Sequence, residues 1–345
     1  MSSMCVQMLI DVQKFLPINR INQNNSFSSS FLDSNASVPD WQSKTSSGPE
    51  NVQESTDIRL STSFECSLDE QKAAHLESHF VHQVYDKIAD HFSHTRYRAW
   101  PQVKSFVQLV QPFDSLLDVG SGNGKSLPTD DQRIPWLSVA CDVSAALLRI
   151  CMQRNLPCVQ ADCLRLPFRD ESFDASICIA VLHHLANEKR RLQAINEIGR
   201  ILRVDGQALV YVWAFEQKND QGYQSAYISR GKMDKKDSFP GNQPVIATLA
   251  CDQNSYQLPV HRNGTSFKQQ DMFVPWTDKR NKSQPNEKAT VGGKQELRYY
   301  HLFRKGELEE LIERIPTLRI QKSYYDNGNW AVQVQKTFQS NVTGM

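Results

Sequence analysis

The sequence predicts an α/β fold, a mostly parallel sheet with helices on both faces that finishes in an antiparallel hairpin. Three observations carry this. Short apolar runs alternate with helical periodicities between residues 115 and 214. The run from Phe173 to Val181 is almost continuously apolar, as a central parallel strand covered on both faces requires. Residues 317–324 and 330–338 read as strands joined through Tyr325-Asp-Asn-Gly-Asn329, a Gly-containing turn that pairs them antiparallel.

The elements follow in order. Phe80, Val84, Ile88 and Phe92 recur at helical spacing, with Val81 and Tyr85 beside them. The helix runs into a segment crowded with polar and aromatic side chains, His91 to Trp100. Pro101 suits the first turn of the next helix, which carries Val103, Phe106, Val107 and Val110. Ser115 to Val119 is a strand that enters a glycine loop. A second apolar run, Trp136 to Cys141, ends in Asp142, and Asp142 and Ser144 cap a helix over about 145–154. A short strand around Cys158 to Gln160 leads to Asp162. After Phe173–Val181 come His183 and His184, a helix over about 188–203, a turn at Asp205-Gly206 and a strand from Gln207 to Ala214. A helix from Lys305 to Arg314 precedes the hairpin. Strands alternating with helices at these lengths suit right-handed β-α-β units.

Composition sets the limits. Of 345 residues, 39% are hydrophobic, low for a chain folded throughout, and the net charge of +1 excludes an overall basic bias. Residues 1–70 are rich in Ser, Asn and Gln and read as a disordered tail. Residues 71–216 and 297–340 read as one domain. Residues 217–296, rich in Lys, Gln, Asn, Asp and Ser, read as a largely disordered insertion, in which Met272 to Trp276 could dock on the domain. Lys232, Lys235 and Lys236 in it suggest a solvated tract. Eight cysteines fall singly, without a C-x-x-C pair, which argues against a structural zinc site and for a reducing compartment, the cytoplasm or the nucleus. No apolar run approaches the length of a transmembrane helix. The first ten residues lack a basic n-region, so no signal peptide is expected.

The glycine loop points to a ligand. Gly120, Gly122 and Gly124 permit positive φ and close approach to the backbone. Alone they are compatible with an ordinary turn, but Asp142 follows about 20 residues on, where an acidic side chain reaches a ribose. The third glycine of a dinucleotide fingerprint is replaced by Lys125. Asp118 before a G-x-G-x-G loop, with the terminal hairpin, looks like the S-adenosylmethionine loop of Rossmann-like, seven-stranded class I methyltransferases.

The chain resembles the eukaryotic tRNA wobble-uridine carboxymethyl methyltransferases, both the stand-alone fungal type and the domain fused to an AlkB-like hydroxylase in animals. The stretches that carry this are Val81 to Tyr97, Asp118-Val-Gly-Ser-Gly-Asn-Gly-Lys125, Ile177 to His184, Gly206 to Trp213, Arg298-Tyr-Tyr-His301 and Tyr324 to Trp330. They cover most of residues 75–216 and 297–336. Ser121 stands where a cysteine is expected, and Pro128 should shorten any helix after the loop. Neither a hydroxylase domain nor an RNA-recognition motif is seen. The resemblance implies methyl transfer from S-adenosylmethionine to the carboxylate of 5-carboxymethyluridine at the tRNA wobble position, with a small zinc-binding activator subunit as partner.

Site residues follow from the two readings together. Gly120, Gly122 and Gly124 face the methionine and ribose, Asp142 the ribose hydroxyls, Asp162 the adenine amine (or it caps a turn), and Asp118 orders the loop or meets the ammonium. Arg96, His183 and His184 are the catalytic candidates. Arg96 could hold the substrate carboxylate bidentately. The two adjacent histidines are not expected to face the same way, and either can be structural. Tyr85, Tyr97, Arg98 and Trp100 are candidates for phosphate contact and base stacking, or part of a polar helix-joining loop. Arg298, Tyr300, Asn329 and Trp330 form a second candidate surface, for which core packing is the alternative. No metal is expected. Two further readings stay open, a small-molecule methyltransferase and a catalytically altered paralogue with a scaffolding role.

Overall fold

The seven strands of the main sheet lie in the order β10 (Leu318–Asp326), β11 (Asn329–Lys336), β5 (Leu202–Trp213), β4 (Phe173–Ile179), β1 (Ser115–Val119), β2 (Leu137–Asp142) and β3 (Cys158–Gln160). The computed structural model describes residues 70–128, 137–230, 245–251, 254–278 and 295–338. The 1–70 tail, apart from its last residue, and Lys232, Lys235 and Lys236 lie outside the described residues.

β1 (Ser115–Val119) is an inner strand beside the central β4 (Phe173–Ile179), parallel to it on one side and to β2 (Leu137–Asp142) on the other. Its period-2 alternation serves two apolar layers: Leu117 and Val119 enter one, Leu116 the other. β3 (Cys158–Gln160) extends the parallel set beyond β2, and β5 (Leu202–Trp213) beyond β4. β10 (Leu318–Asp326) and β11 (Asn329–Lys336) form the antiparallel hairpin, with β11 antiparallel to β5. Asn327 and Gly328 turn it with φ of 49° and 89°.

The helices are α1 (Gln83–Thr95), α2 (Pro101–Val107), α3 (Ala145–Gln153), α4 (Glu188–Ile201), α5 (Ala226–Arg230) and α6 (Glu307–Glu313). α1 continues a helical stretch from residue 70 through a π-helical turn, Ser78–His82. Pro101 opens α2, and Ser144 caps α3 by accepting from Leu147 N at 3.2 Å. No helix follows the glycine loop up to residue 128.

The segment expected to be a largely disordered insertion is corrected in its described part. β6 (Val245–Cys251), β7 (Asn254–Val260), β8 (Asp271–Thr277) and β9 (Gln295–His301) form a second, four-stranded sheet. Composition hid it. Tyr256, Leu258 and Val260 alternate with Ser255, Gln257 and Pro259 and pack with Phe273 and Tyr299 against Leu76, Phe80 and Val81 of the N-terminal helical stretch. Averaged with its polar neighbours, this period of two disappears. Met272–Trp276, the stretch singled out for docking, is β8.

The N-terminal stretch is tied down by charge as well as by apolar contact. Glu77 is 1% exposed and takes a two-pronged pair from Arg190 of α4, Nε to Oε1 at 2.8 Å and Nη2 to Oε2 at 2.7 Å. Its Oε1 also accepts from Ala186 N at 2.7 Å. Glu70 pairs with Arg190 from the other side.

Candidate active site

A cavity of about 640 Å³ opens at the carboxyl ends of β1, β2, β3 and β4, where ligands bind in open α/β sheets. Its remaining walls are α1 and the strands β8 and β9.

The glycine loop forms its floor. Gly120 N and Ser121 N both donate to Cys141 O, at 2.7 and 2.9 Å, which ties the loop to β2. Gly120 has φ of 69°, and a Cβ there would stand 2.2 Å from Val181 Cγ2, so the position admits no side chain. Gly122 N donates to Asp142 Oδ2 at 2.8 Å, while Ser144 N donates to Oδ1 at 2.8 Å. Asn123 ties the loop to α1, donating to Ser93 Oγ and Arg96 O, both at 3.1 Å. Gly124 packs behind the loop, where a Cβ would meet Leu156 at 2.5 Å, and is a structural residue.

Three carboxylates line one end of the cavity, Asp118, Asp142 and Asp162, each at or just beyond the end of a neighbouring strand. Asp118 is 1% exposed and its Oδ2 has no hydrogen-bond partner. Burial, with the charge of Asp142 second, pushes its carboxyl up to about 8, against the pull of Lys125. Burial also raises Asp142, against backbone N–H donors that favour its ionised form. Asp162 Oδ1 accepts from Leu164 N at 2.9 Å, so the turn-cap role is real and its other oxygen remains for the cavity. Three carboxyl groups side by side, acceptor-only once ionised and one with an orphaned buried oxygen, fit a ligand rich in donors and carrying a positive charge that draws off the Asp118 proton.

The opposite end is basic and aromatic. Arg298 and Tyr300, two apart on β9, line it with Trp276 of β8. Tyr85 from α1 and Trp100 before α2 complete it, with Arg96 in the same wall. The Arg96 guanidinium lies 5.5 Å from the Trp276 ring centroid, and Lys125 Nζ lies 5.5 Å from that of Trp100. Burial brings Lys125 down to about 8, helped by the Arg96 charge. Trp276 Nε1 donates to His91 Nδ1 at 3.0 Å, which fixes the indole.

Both histidines line the cavity, contrary to the expectation that neighbours diverge. The 3-10 turn Leu182–His184 holds their ring centroids 4.4 Å apart, both against Tyr300. His184 uses both ring nitrogens: Nδ1 lies 2.9 Å from Tyr299 O and must carry the proton, and Nε2 accepts from Tyr85 Oη at 3.0 Å. His183 Nδ1 accepts from Trp213 N at 3.3 Å, which leaves its proton on Nε2. Burial holds His184 down at about 3 and His183 well below the usual imidazole range, so both are neutral at physiological pH.

Five named residues are not brought to the cavity: Gly124, which packs behind the loop, and Trp330, Asn329, Tyr97 and Arg98. Trp330 is 7% exposed in the main core against Tyr325, its Nε1 donating to Glu216 Oε2 at 3.1 Å. Asn329 donates to Asp326 O at 3.0 Å and closes the hairpin turn. Core packing and turn closure won at these two positions. Tyr97, 66% exposed, and Arg98, whose guanidinium lies 5.2 Å from its ring centroid, face solvent beside the cavity wall. The cavity also contains residues the sequence reading missed. Trp276 stood in a run recognised only as apolar, and Lys125 was noted only as the place of a missing glycine.

Among the described residues no group of three or more His, Cys, Asp or Glu is placed to hold a metal ion. Nor is any described helix long and apolar enough to cross a membrane. Cys141, Cys151, Cys158, Cys163 and Cys178 are free thiols.

Comparison with known proteins adds to this geometry. The family described as "Methyltransferase domain" matches residues 117–210. A tRNA (carboxymethyluridine(34)-5-O)-methyltransferase of Macaca fascicularis is 38% identical over 304 residues, covering 77% of this chain and 45% of the relative. The chain thus spans less than half of that relative's length. The Schizosaccharomyces pombe protein of the same name is 37% identical over 268 residues, covering 75% of this chain and 97% of the relative. Among solved structures, an S-adenosylmethionine-dependent methyltransferase from Clostridium acetobutylicum aligns with a TM-score of 0.45 and 12% identity, over 74% of this chain and 100% of its own.

Proposed function

Because this chain belongs to the family of tRNA (carboxymethyluridine(34)-5-O)-methyltransferases, we propose that it uses S-adenosylmethionine to esterify the carboxylate of 5-carboxymethyluridine at the wobble position of tRNA. The observation that carries the reading is a single cavity lined both by a row of carboxyl groups at the strand ends and by basic and aromatic side chains.

When bound, S-adenosylmethionine supplies a sulfonium methyl group, an electrophile that a carboxylate takes without giving up a proton. The chain's own residues bind and orient. Asp118 Oδ2 is suited to the methionine ammonium, Asp142 to the ribose hydroxyls and Asp162 to the adenine amine. Gly120 and Gly122 keep the loop backbone within reach of the ligand. The nucleophile has an intrinsic pKa of roughly 4 and arrives ionised, so a general base is unnecessary. Neutral, buried His183 and His184 accord with this, since neither is set up to take a proton at neutral pH. What remains for the protein is alignment, a contribution of roughly 7–11 kcal/mol at its upper limit. His183 Nε2–H and Arg96 are the donors proposed for the uridine and its neighbours. Tyr97 and Arg98, exposed beside the cavity, suit stacking and phosphate contact with a splayed anticodon loop.

A small zinc-binding activator subunit is proposed as partner on the family resemblance, and a cytoplasmic or nuclear location goes with a tRNA substrate. The test is to incubate the full chain and the activator with labelled S-adenosylmethionine and tRNA from cells lacking this chain, then resolve the nucleosides. Label in carboxymethyluridine methyl ester is expected. Label recovered only from a small-molecule extract refutes the reading, and no cofactor binding by the wild type favours a scaffolding paralogue.

A further inference from the structure

Arg298 is a buried charge without a counter-charge among the described residues. It is 6% exposed, and no Asp or Glu among the described residues is within ion-pair distance of it. A guanidinium does not shed its proton in a protein, so the charge persists in the interior. Three aromatic rings surround it, with centroids at 4.9 Å for Trp276, 5.1 Å for Tyr300 and 5.9 Å for Tyr85. Such cation–π contacts offset part of the desolvation and leave the rest. Nη1 donates to Tyr300 Oη at 2.8 Å and to Tyr85 Oη at 3.3 Å, whereas Nε is buried with no acceptor.

The hydrogen-bond polarity around it is fixed. His184 Nδ1 gives its proton to Tyr299 O, so Nε2 accepts the Tyr85 hydroxyl proton and turns the Tyr85 oxygen lone pairs toward Arg298. His184 and Tyr85 are therefore positioning residues for the guanidinium. Arg298, Tyr300 and Trp276 line the cavity, so the guanidinium presents its charge to whatever enters there.

We infer that Arg298, within the cage of Tyr85, Trp276 and Tyr300, is the receptor for the substrate's carboxylate, a role the sequence had suggested for Arg96. The inference rests on the proposed function. It makes the acid the recognised form. The neutral amide or ester cannot answer the buried charge, and conversion to the ester removes the ion pair and favours release of the product.

The experiment measures binding of anticodon stem-loop RNAs carrying 5-carboxymethyluridine, 5-carbamoylmethyluridine or uridine to the full chain with its activator. Wild type is expected to prefer the acid over the amide by about 30-fold or more, the loss typical of an unpaired buried charge. Arg298→Gln should bind all three alike while its S-adenosylmethionine affinity, read by calorimetry, stays unchanged. If Arg298→Gln does not fold, Arg298→Lys serves, keeping the charge but not the planar fork, with a reduced acid-to-amide ratio expected. An undiminished ratio in whichever variant binds cofactor normally overturns the inference and leaves methyl transfer by the wild type standing. A wild type that neither prefers the acid nor methylates it overturns both.

Discussion

Replacing Gly120 by Ala tests whether the glycine loop is held by sterics and backbone conformation together. The native φ of 69° lies in the left-handed region, which costs an L-residue roughly 1–2 kcal/mol. The added Cβ would also meet Val181 Cγ2 at 2.2 Å and Cγ1 at 3.1 Å, and relieving such overpacking costs about 1–3 kcal/mol. The sum is a destabilisation of about 2–5 kcal/mol. Urea unfolding followed by tryptophan fluorescence measures it as a lowered midpoint at constant slope. The two parts separate in a double-mutant cycle with Val181→Ala. Removing both Cγ atoms should recover the packing part, a coupling of about 1–3 kcal/mol, and leave the φ part in place. Affinity for S-adenosylmethionine should fall in both Gly120 variants, because the loop backbone is displaced. A Gly120→Ala protein within 0.5 kcal/mol of wild type, or a cycle that is purely additive, refutes the reasoning (about 0.5 kcal/mol being the scatter of independent sites).

Three further predictions concern buried charge. Asp118 has its folded pKa raised to about 8 from an unfolded 3.8, so between these values the folded state holds a proton that the unfolded state has lost. Stability of the ligand-free protein therefore falls as pH rises through that window, and Asp118→Asn should flatten the dependence; an unchanged slope sinks the assignment. Binding of the cationic cofactor should pull the carboxyl back toward its ionised form, so at pH 7 calorimetry in buffers of different ionisation enthalpy should detect proton release, absent in Asp118→Asn. Glu77→Ala leaves Arg190 with only Glu70, and should destabilise by about 3 kcal/mol, the lower end for breaking a buried pair. A thermal midpoint equal to wild type would show that the helical stretch from residue 70 is held by its apolar face alone.

The main sheet was legible because its signals are local. Apolar runs such as Phe173–Val181 mark covered strands, alternation with helical periodicity fixes parallel pairing, and Asn327-Gly328 dictates a tight turn. The acidic end of the cavity was legible for the same reason. A residue that ends a parallel strand must lie at the rim of the sheet, so Asp118 and Asp142 could be assigned from sequence position. The basic end was legible only as separate candidates: Tyr85, Arg96, Trp100, Arg298 and Tyr300 were named and all reach the cavity, but their meeting with Trp276 was not foreseen. Arg298, Trp276, Tyr85 and Arg96 come from three separate stretches, and their meeting depends on a second sheet whose two-residue alternation is buried in polar composition. The same limit misassigned Asn329 and Trp330, since a strand's sequence does not say which of its faces meets a ligand. The sequence by itself determined the α/β sheet, the glycine loop and the carboxylate row, because backbone propensity and strand order act over short separations. Only the tertiary structure decided that Arg298 is buried without a counter-ion among the described residues and that His184 is committed at both nitrogens, because burial and hydrogen-bond satisfaction are properties of residues brought together from distant parts of the chain.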